Sequence, residues 1–168
     1  MPFLRHHKGI TAVVAGGWQL SGFAIFQTGY PFTVSNGANP AGDYNLDGTA
    51  GDRPNAPVTP LPVSGYSRDQ FLNGIFPASA FPIPAPGTDG TLGRNTFRGP
   101  GFAEVDLSIS KRFAITERVH FSIRLDAYNA FNHVNLNAPT SDLSSATFGR
   151  STSALLPRQY QGGVRIDF

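Results

Sequence analysis

The sequence predicts an all-β fold, an antiparallel β-sheet of about four long strands that forms part of a membrane-spanning barrel. Three observations predict it. Apolar and polar side chains alternate over long stretches, which is typical of strands with two different faces. These stretches have about the length, 9–11 residues, of a strand that crosses a bilayer. Charged residues make up only 14% of the 168 residues, well below the roughly 25% of an average soluble domain.

The first two predicted strands cover about residues 16–29 and 102–113. In the second strand, apolar residues alternate strictly with polar ones from Ala103 to Ser110. The first strand alternates less regularly, because Phe23 and Ile25 fall on its otherwise polar face. Lys111 is the exception on the apolar face of the second strand. It lies near the strand end, where its side chain is expected to reach the membrane interface.

The third and fourth predicted strands cover about residues 117–131 and 158–168. From Arg118 to Ala127 the third strand keeps ten successive positions in alternation. A helix would instead place apolar residues at spacings of three and four, which neither the second nor the third strand does. The polar face is expected to line a wet interior and the apolar face to contact lipid.

The connections between these strands are very unequal. A turn around 114–116 joins the second strand to the third. The two other connections are long: about 30–101 is rich in Gly, Pro, Asn and Asp, and about 132–157 is rich in Asn, Ser and Thr. Short turns on one side and long loops on the other are typical of outer-membrane barrels. A soluble β-sandwich also alternates apolar and polar residues, and it stays open as an alternative, although its strands are usually shorter.

Several motifs together resemble the C-terminal part of TonB-dependent outer-membrane receptors, in the Oar-like branch with a carboxypeptidase-regulatory-like domain. In chain order they are PF at 2–3, GGWQLSG at 16–22, GYPFTV at 29–34, GDRPN at 51–55, LGRNTFRGPGF at 92–102, EVDLSISKRF at 104–113, ERVHFSIRLDAYNAFNH at 117–133, ATFGR at 146–150 and PRQYQGGVRIDF at 157–168. The resemblance covers nearly the whole chain.

The resemblance implies a location in the outer membrane of a Gram-negative bacterium and nutrient uptake driven by TonB. It implies contact with outer-membrane lipid and lipopolysaccharide, and with the plug and the other strands of a longer receptor. The two long connections would be external loops. The barrel-assembly machinery would read a C-terminal signal of alternating apolar residues that ends in an aromatic one. Its members here are Tyr160, Val164, Ile166 and Phe168.

Receptors of this family are several times longer and carry a signal peptide, a TonB-contacting segment and a plug. Outer-membrane transporters of this kind have about 22 strands, so four strands are not expected to close a barrel. Unpaired backbone groups in lipid are costly. We therefore expect this chain to be a fragment of a receptor, with Met1 at a position interior to the family's chains, and not to transport a ligand alone.

One short stretch predicts a metal site. In DYNLDGTAGD at 43–52, oxygen ligands recur at Asp43, Asn45 and Asp47, with Asp52 following, and Gly48 lies where a calcium loop turns. The acid that closes such a loop would come at position 54, where the sequence has Pro. The alternative is a polar loop that uses the same residues for turns. Both interpretations stay open, and no other cofactor is predicted.

Other functions are disfavoured or stay as alternatives. The net charge is only +2, and no basic stripe indicates a nucleic-acid partner. The chain contains no cysteine, and we expect no enzymatic activity, since no Gly-x-Ser-x-Gly motif occurs. A barrel enzyme that uses His120 and Asp126, and a secreted β-sandwich that binds calcium through residues 43–52, are the alternatives. Arg94 and Arg98 could meet an anionic ligand, or could serve only to shape the loop.

Overall fold

The computed structural model describes residue 14 and residues 16–38 and 40–168. The Pro-Phe pair at 2–3, Met1 and the histidines at 6 and 7 lie outside the described residues. The chain forms two compact units. Of the described residues, those up to Phe26, 103–134 and 156–168 form the sheet unit, and those within 27–102 and 135–155 form the insert unit.

Strands make up most of the regular secondary structure of the described residues, which contain only short helices. In chain order the elements are β1 (Trp18–Gln27), β2 (Pro31–Phe32), α1 (Arg68–Asn73), a single 3-10 turn (Ala78–Ala80), β3 (Phe97–Arg98), β4 (Phe102–Ala114), β5 (His120–Tyr128) and β6 (Gln159–Asp167). Across these described residues, no helix combines the length and the apolar character that crossing a membrane requires.

The four long strands form one sheet in the order β1-β4-β5-β6. β4 and β5 pair antiparallel, with Ile109 opposite Leu125, and β5 and β6 pair antiparallel, with Ile123 opposite Val164. The sheet is open, because β1 and β6 are its outermost strands. The predicted fold class is confirmed: the chain is all-β and antiparallel, and its sheet does not close.

A tight turn joins β4 to β5. The backbone N–H groups of Ile115 and Thr116 both donate to the carbonyl of Val119, at 3.0 and 3.1 Å. The Thr116 hydroxyl in turn accepts from the N–H groups of Arg118 and Val119. Because β1 and β5 end where β4 and β6 begin, the two long connections leave the sheet at the end opposite this turn.

The insert unit has its own hydrophobic core, which the sequence analysis did not predict. Phe76 lies at its centre, with ring centroids 4.8 Å from Phe97, 5.1 Å from Phe81 and 5.5 Å from Phe148. All four rings are buried, and so are Val34, Phe71, Ile75 and Leu92. The long connections are therefore folded around aromatic side chains rather than being mobile polar loops.

Backbone hydrogen bonds join the two connections into this one unit. Ser35 donates to the Ser141 carbonyl and accepts from the N–H of Leu143, at 3.1 and 2.9 Å. Farther along, Ile75 donates to Gly149, and Ser151 donates to Phe71 at the buried side of α1. α1 itself begins at a capping box, in which Ser67 and Gln70 satisfy each other's backbone N–H groups.

Candidate functional site

One face of the four-stranded sheet carries large apolar side chains that contact solvent in the isolated chain. Leu20 of β1 is 71% exposed and Val164 of β6 is 67% exposed. Soluble monomers rarely expose an apolar surface that extends over a whole sheet. We call this surface the apolar face; its large members are Trp18, Leu20, Phe26, Leu107, Ile109, Phe113, Phe121, Ile123, Leu125, Tyr160, Val164 and Ile166.

The strand register makes the apolar face continuous across the sheet. Ile109 of β4 lies opposite Leu125 of β5, and Phe121 of β5 lies between Phe113 and Ile166. Since side chains alternate across a strand, the β5 residues between Phe121, Ile123 and Leu125 lie on the opposite face of the sheet. The resulting two-faced sheet has the pattern of a lipid-contacting wall.

Lys111 interrupts the apolar face near the end of β4. Its side chain is 7% exposed, and its ammonium donates to the carbonyls of Val14 and Gly16. The ammonium also lies 4.6 Å from the ring centroid of Trp18 and 5.1 Å from that of Phe113. The chain itself thus supplies partners for this charge, by cation–π contact and hydrogen bonding, instead of leaving it extended toward an interface.

The opposite face of the sheet is polar and carries its ion pairs. The Arg124 guanidinium binds Asp126 two residues along β5, at 2.8 Å, and Arg165 binds Asp167 along β6 at 2.6 Å. Asp126 lies between Ser108 and Gln161 of the neighbouring strands. Charged and hydroxyl side chains thus share the surface that the alternation predicts to face water.

Among the described residues no ion pair joins a histidine to a carboxylate, although His120 lies opposite Asp167 of β6. His120 and Asp126 lie at opposite ends of β5, six residues or about 20 Å apart at strand spacing. His133 instead contributes its backbone to a turn, where its N–H donates to the Asn129 side-chain oxygen and its carbonyl accepts from the Asn129 amide, each at 2.8 Å.

The predicted assembly-signal residues lie on β6 and at its end. Tyr160, Val164 and Ile166 lie on the apolar face, opposite Ala127, Ile123 and Phe121 of β5. Phe168 is fully exposed. Their accessibility is compatible with recognition by an assembly factor, and that role stays a prediction.

The insert unit contains a polar cavity of about 490 Å³. Side chains from widely separated parts of the long connection line it. Asp52 and Arg53 come from the GDRPN motif, and Asp89 and Arg94 come from the stretch that precedes β3. The remaining lining residues are Thr33, Ser35, Asn45, Asp47, Gly51 and Gly90.

The four residues of the predicted calcium loop hold the backbone of a turn. Asp43 accepts from the N–H groups of Asp47 and Gly48, and one Asp52 oxygen accepts from Tyr44 and Asn45 at 2.8 and 3.1 Å. Gly48 has a φ of +90°, which an L side chain rarely adopts.

No cluster of three His, Cys, Asp or Glu side chains suited to a metal occurs within the described part of the chain. Calcium binding by residues 43–52 therefore stays a prediction.

A carboxylate also fastens the two connections of the insert unit to each other. Asp142 accepts from the N–H of Gly37 at 3.0 Å, and from the N–H and hydroxyl of Ser144. These hydrogen bonds, that from Gly37 first, hold the pKa of Asp142 below its usual value.

The sequence predicts some of the residues that line the cavity but not the cavity itself. Arg94 is predicted as a candidate for an anionic ligand, and Asn45, Asp47 and Asp52 are predicted as calcium ligands. Arg53 and Asp89 were not singled out, because nothing local in the sequence indicates that residues 53 and 89 meet. Only the aromatic core and hydrogen bonds such as that from Leu92 to Pro54 bring the two stretches together.

Comparison with known proteins gives one family. A family model described as an outer membrane beta barrel domain matches residues 1–161. Neither the curated proteins nor the solved structures include a significant match.

Proposed function

This chain belongs to the outer membrane beta barrel domain family, and on that basis we propose that it forms part of the barrel of a TonB-dependent receptor for nutrient uptake. Membership of the family makes it an outer-membrane protein. The observation that carries the proposal is the continuous apolar face across four antiparallel strands, with charged residues confined almost entirely to the opposite face. The proposal that the barrel is a TonB-dependent receptor is supported, in addition, by the ordered motifs that resemble those of this receptor family.

The open edges of the sheet support a larger barrel. Among the described strands, β1 and β6 each have a neighbour on one side only, and backbone groups left without partners in lipid cost about several kcal/mol each. In the proposed receptor, further strands continue the sheet at both edges and a plug fills the lumen. The polar face with Arg124 and Asp126 then lines the wet interior.

The long connections are proposed to lie outside the cell and to capture the ligand. They leave the sheet at the end opposite the tight β4–β5 turn, as the external loops of outer-membrane barrels do. Loops held by a rigid scaffold commonly carry recognition, and the insert unit offers a folded surface with a cavity for it. The ligand class of the wider family includes ferric siderophores, cobalamin and oligosaccharides.

Uptake by the source bacterium tests the transport proposal. The coding region of this chain is deleted in frame, and uptake of labelled ferric siderophore, cobalamin, oligosaccharide and L-alanyl-L-alanine is compared in cells with and without a protonophore. We expect uptake of at least one ligand to fall to the protonophore-treated level. Unchanged energy-dependent uptake of all the ligands would contradict the proposal.

Epitope accessibility tests the orientation separately. Val58 is 90% exposed in the insert unit, and Glu117 lies in the β4–β5 turn. A tag inserted after Val58 is expected to bind antibody on intact cells, whereas a tag after Glu117 binds only after the cells are opened. Equal labelling of both tags on intact cells would refute the proposed orientation.

A further inference from the structure

The polar cavity of the insert unit holds charges of both signs that do not pair with one another. Asp47, Asp52 and Asp89 line it together with Arg53 and Arg94. Among the described residues, the side-chain ion pairs within 4.0 Å both belong to the four-stranded sheet. Asp47, Asp89 and Arg94 are exposed and Asp52 and Arg53 are partly exposed, so a charged ligand can reach these groups from solvent.

One amide holds two of the carboxylates of the cavity. The Asn45 side-chain nitrogen donates to Asp47 at 3.3 Å and to Asp89 at 3.1 Å. It thereby holds two carboxylates of distant sequence origin near each other. Each carboxylate has about four acceptor sites, so both keep capacity for further donors. Two acceptors held this way suit an ammonium group, which carries three donors.

The two guanidinium groups that line the cavity, those of Arg53 and Arg94, also keep unused donors. Arg53 donates one guanidinium N–H to the Leu92 carbonyl, which fixes the group while leaving most of its five N–H donors available. Arg94 is exposed and makes no hydrogen bond or ion pair with the described residues. Guanidinium groups bind carboxylates in a bidentate manner, with strong charge-assisted hydrogen bonds.

The size and lining of the cavity restrict the class of ligand. Its volume of about 490 Å³ lies within the usual range of small-molecule sites. The lining residues include no aromatic ring, so the cavity offers no flat apolar surface on which a sugar or a planar ligand could stack. Carboxylates and guanidiniums around one space instead complement a molecule that carries both an ammonium and a carboxylate.

We propose that this cavity binds a small zwitterion of the amino acid or short-peptide class. The ammonium of the ligand binds Asp47 and Asp89, and its carboxylate binds Arg94 with Arg53. That the bound molecule is also the nutrient taken up rests on the proposed function, whereas binding itself does not.

Calorimetry on the full chain in detergent micelles tests the site, with L-alanyl-L-alanine as the probe. The same dipeptide with an acetylated amine, or with an amidated carboxyl group, lacks one of the two charges. We expect the zwitterion to bind and each blocked form to bind about tenfold or more weakly, since each loses a charge-assisted contact.

Two variants assign the two ends of the ligand. Arg94→Gln is expected to weaken zwitterion binding and to remove the preference over the amidated form while keeping the preference over the acetylated form. Asp89→Asn is expected to do the converse. Arg68→Gln and Asp69→Asn are matched controls, because both residues are exposed on α1 and lie outside the cavity lining. Both controls should bind the zwitterion as the unchanged chain does.

Several results would overturn the inference. They are the absence of dipeptide binding at millimolar concentration, equal binding of the blocked forms, or binding of calcium chloride or maltotriose in place of the dipeptide. The uptake proposal fails separately. Dipeptide binding with unchanged uptake in the deletion strain would remove the transport role and leave the site, whereas lost uptake without dipeptide binding would do the reverse.

Discussion

Placing an arginine on the apolar face should be costly in proportion to its depth in the bilayer. Leu125 lies next to the middle residue of β5, and the residues directly opposite it on the adjacent strands, Ile109 and Gly162, carry no charge. At about 3.3 Å per residue and a tilt of about 45°, Leu125 lies about 2 Å from the middle of the strand, and Ala127 about 7 Å.

Leu125→Arg should therefore destabilise the membrane-inserted chain by about 2–4 kcal/mol, the cost of arginine at the bilayer midplane. This corresponds to a roughly 30- to 700-fold loss in the equilibrium constant for insertion. Ala127→Arg, nearer the end of the same face, should cost less. Gln161→Arg is the control for the polar face, because Gln161 pairs with Asp126, and it should cost little.

The assay is a denaturant titration of the chain in lipid vesicles, followed by the fluorescence of Trp18, the single tryptophan of the sequence. The predicted order of destabilisation is Leu125→Arg, then Ala127→Arg, then Gln161→Arg. A Gln161→Arg variant as unstable as Leu125→Arg, or a Leu125→Arg variant without effect, would refute the assignment of the two faces.

Three further predictions concern the insert unit. Phe76→Ala should destabilise the insert unit by about 3–5 kcal/mol, because Phe76 packs against several buried rings. Limited proteolysis of the connections measures this, with Leu46→Ala at an exposed position as the control. Equal resistance of the two variants to protease would contradict a packed core. The lowered pKa of Asp142 means that its carboxylate stabilises the folded unit above the unfolded pKa of about 3.9, and that this contribution is lost as the pH falls through the lower folded value. The stability difference between the unchanged chain and Asp142→Asn, measured by hydrogen exchange, should thus be largest near neutral pH and shrink in acid, and a constant difference would refute the linkage. If residues 43–52 bind calcium, calcium chloride should slow amide exchange there and Asp47→Asn should abolish the effect, whereas exchange that ignores calcium would rule that site out.

The sheet was predictable because its chemistry is local. Alternation fixes which residues of β4 and β5 share a face, and a sheet with one apolar and one polar face requires that alternation over the whole strand. Two of the observed strands, β1 at Trp18–Gln27 and β5 at His120–Tyr128, are shorter at both ends than the predicted strands at about 16–29 and 117–131. The residues lost from β5 belong to turns at either end, where the Thr116 and Asn129 side chains hydrogen-bond to backbone groups.

The insert unit was not predictable from the same patterns. Its core residues, such as Val34, Phe76 and Phe148, are separated by Gly- and Pro-rich stretches and follow neither strand nor helix periodicity. The cavity depends on that core, since Asp52 and Asp89 meet only after the connection has folded. The charged residues are visible in the sequence, but no local pattern indicates that they line the same cavity.

A spin-label scan along β5 tests the central claim most directly, and the absence of cysteine from the sequence makes single labels simple to place. Nitroxides at 121 to 126 are examined in vesicles for collision with oxygen, which dissolves in lipid, and with a water-soluble nickel chelate. If lipid covers the apolar face, the two accessibilities alternate with opposite phase along β5. Collision with oxygen is favoured at Phe121, Ile123 and Leu125, and collision with nickel at Ser122, Arg124 and Asp126. Collision with nickel at every position would show that water covers the apolar face, and protection of that face from both reagents would show that protein covers it. Either result would contradict the account.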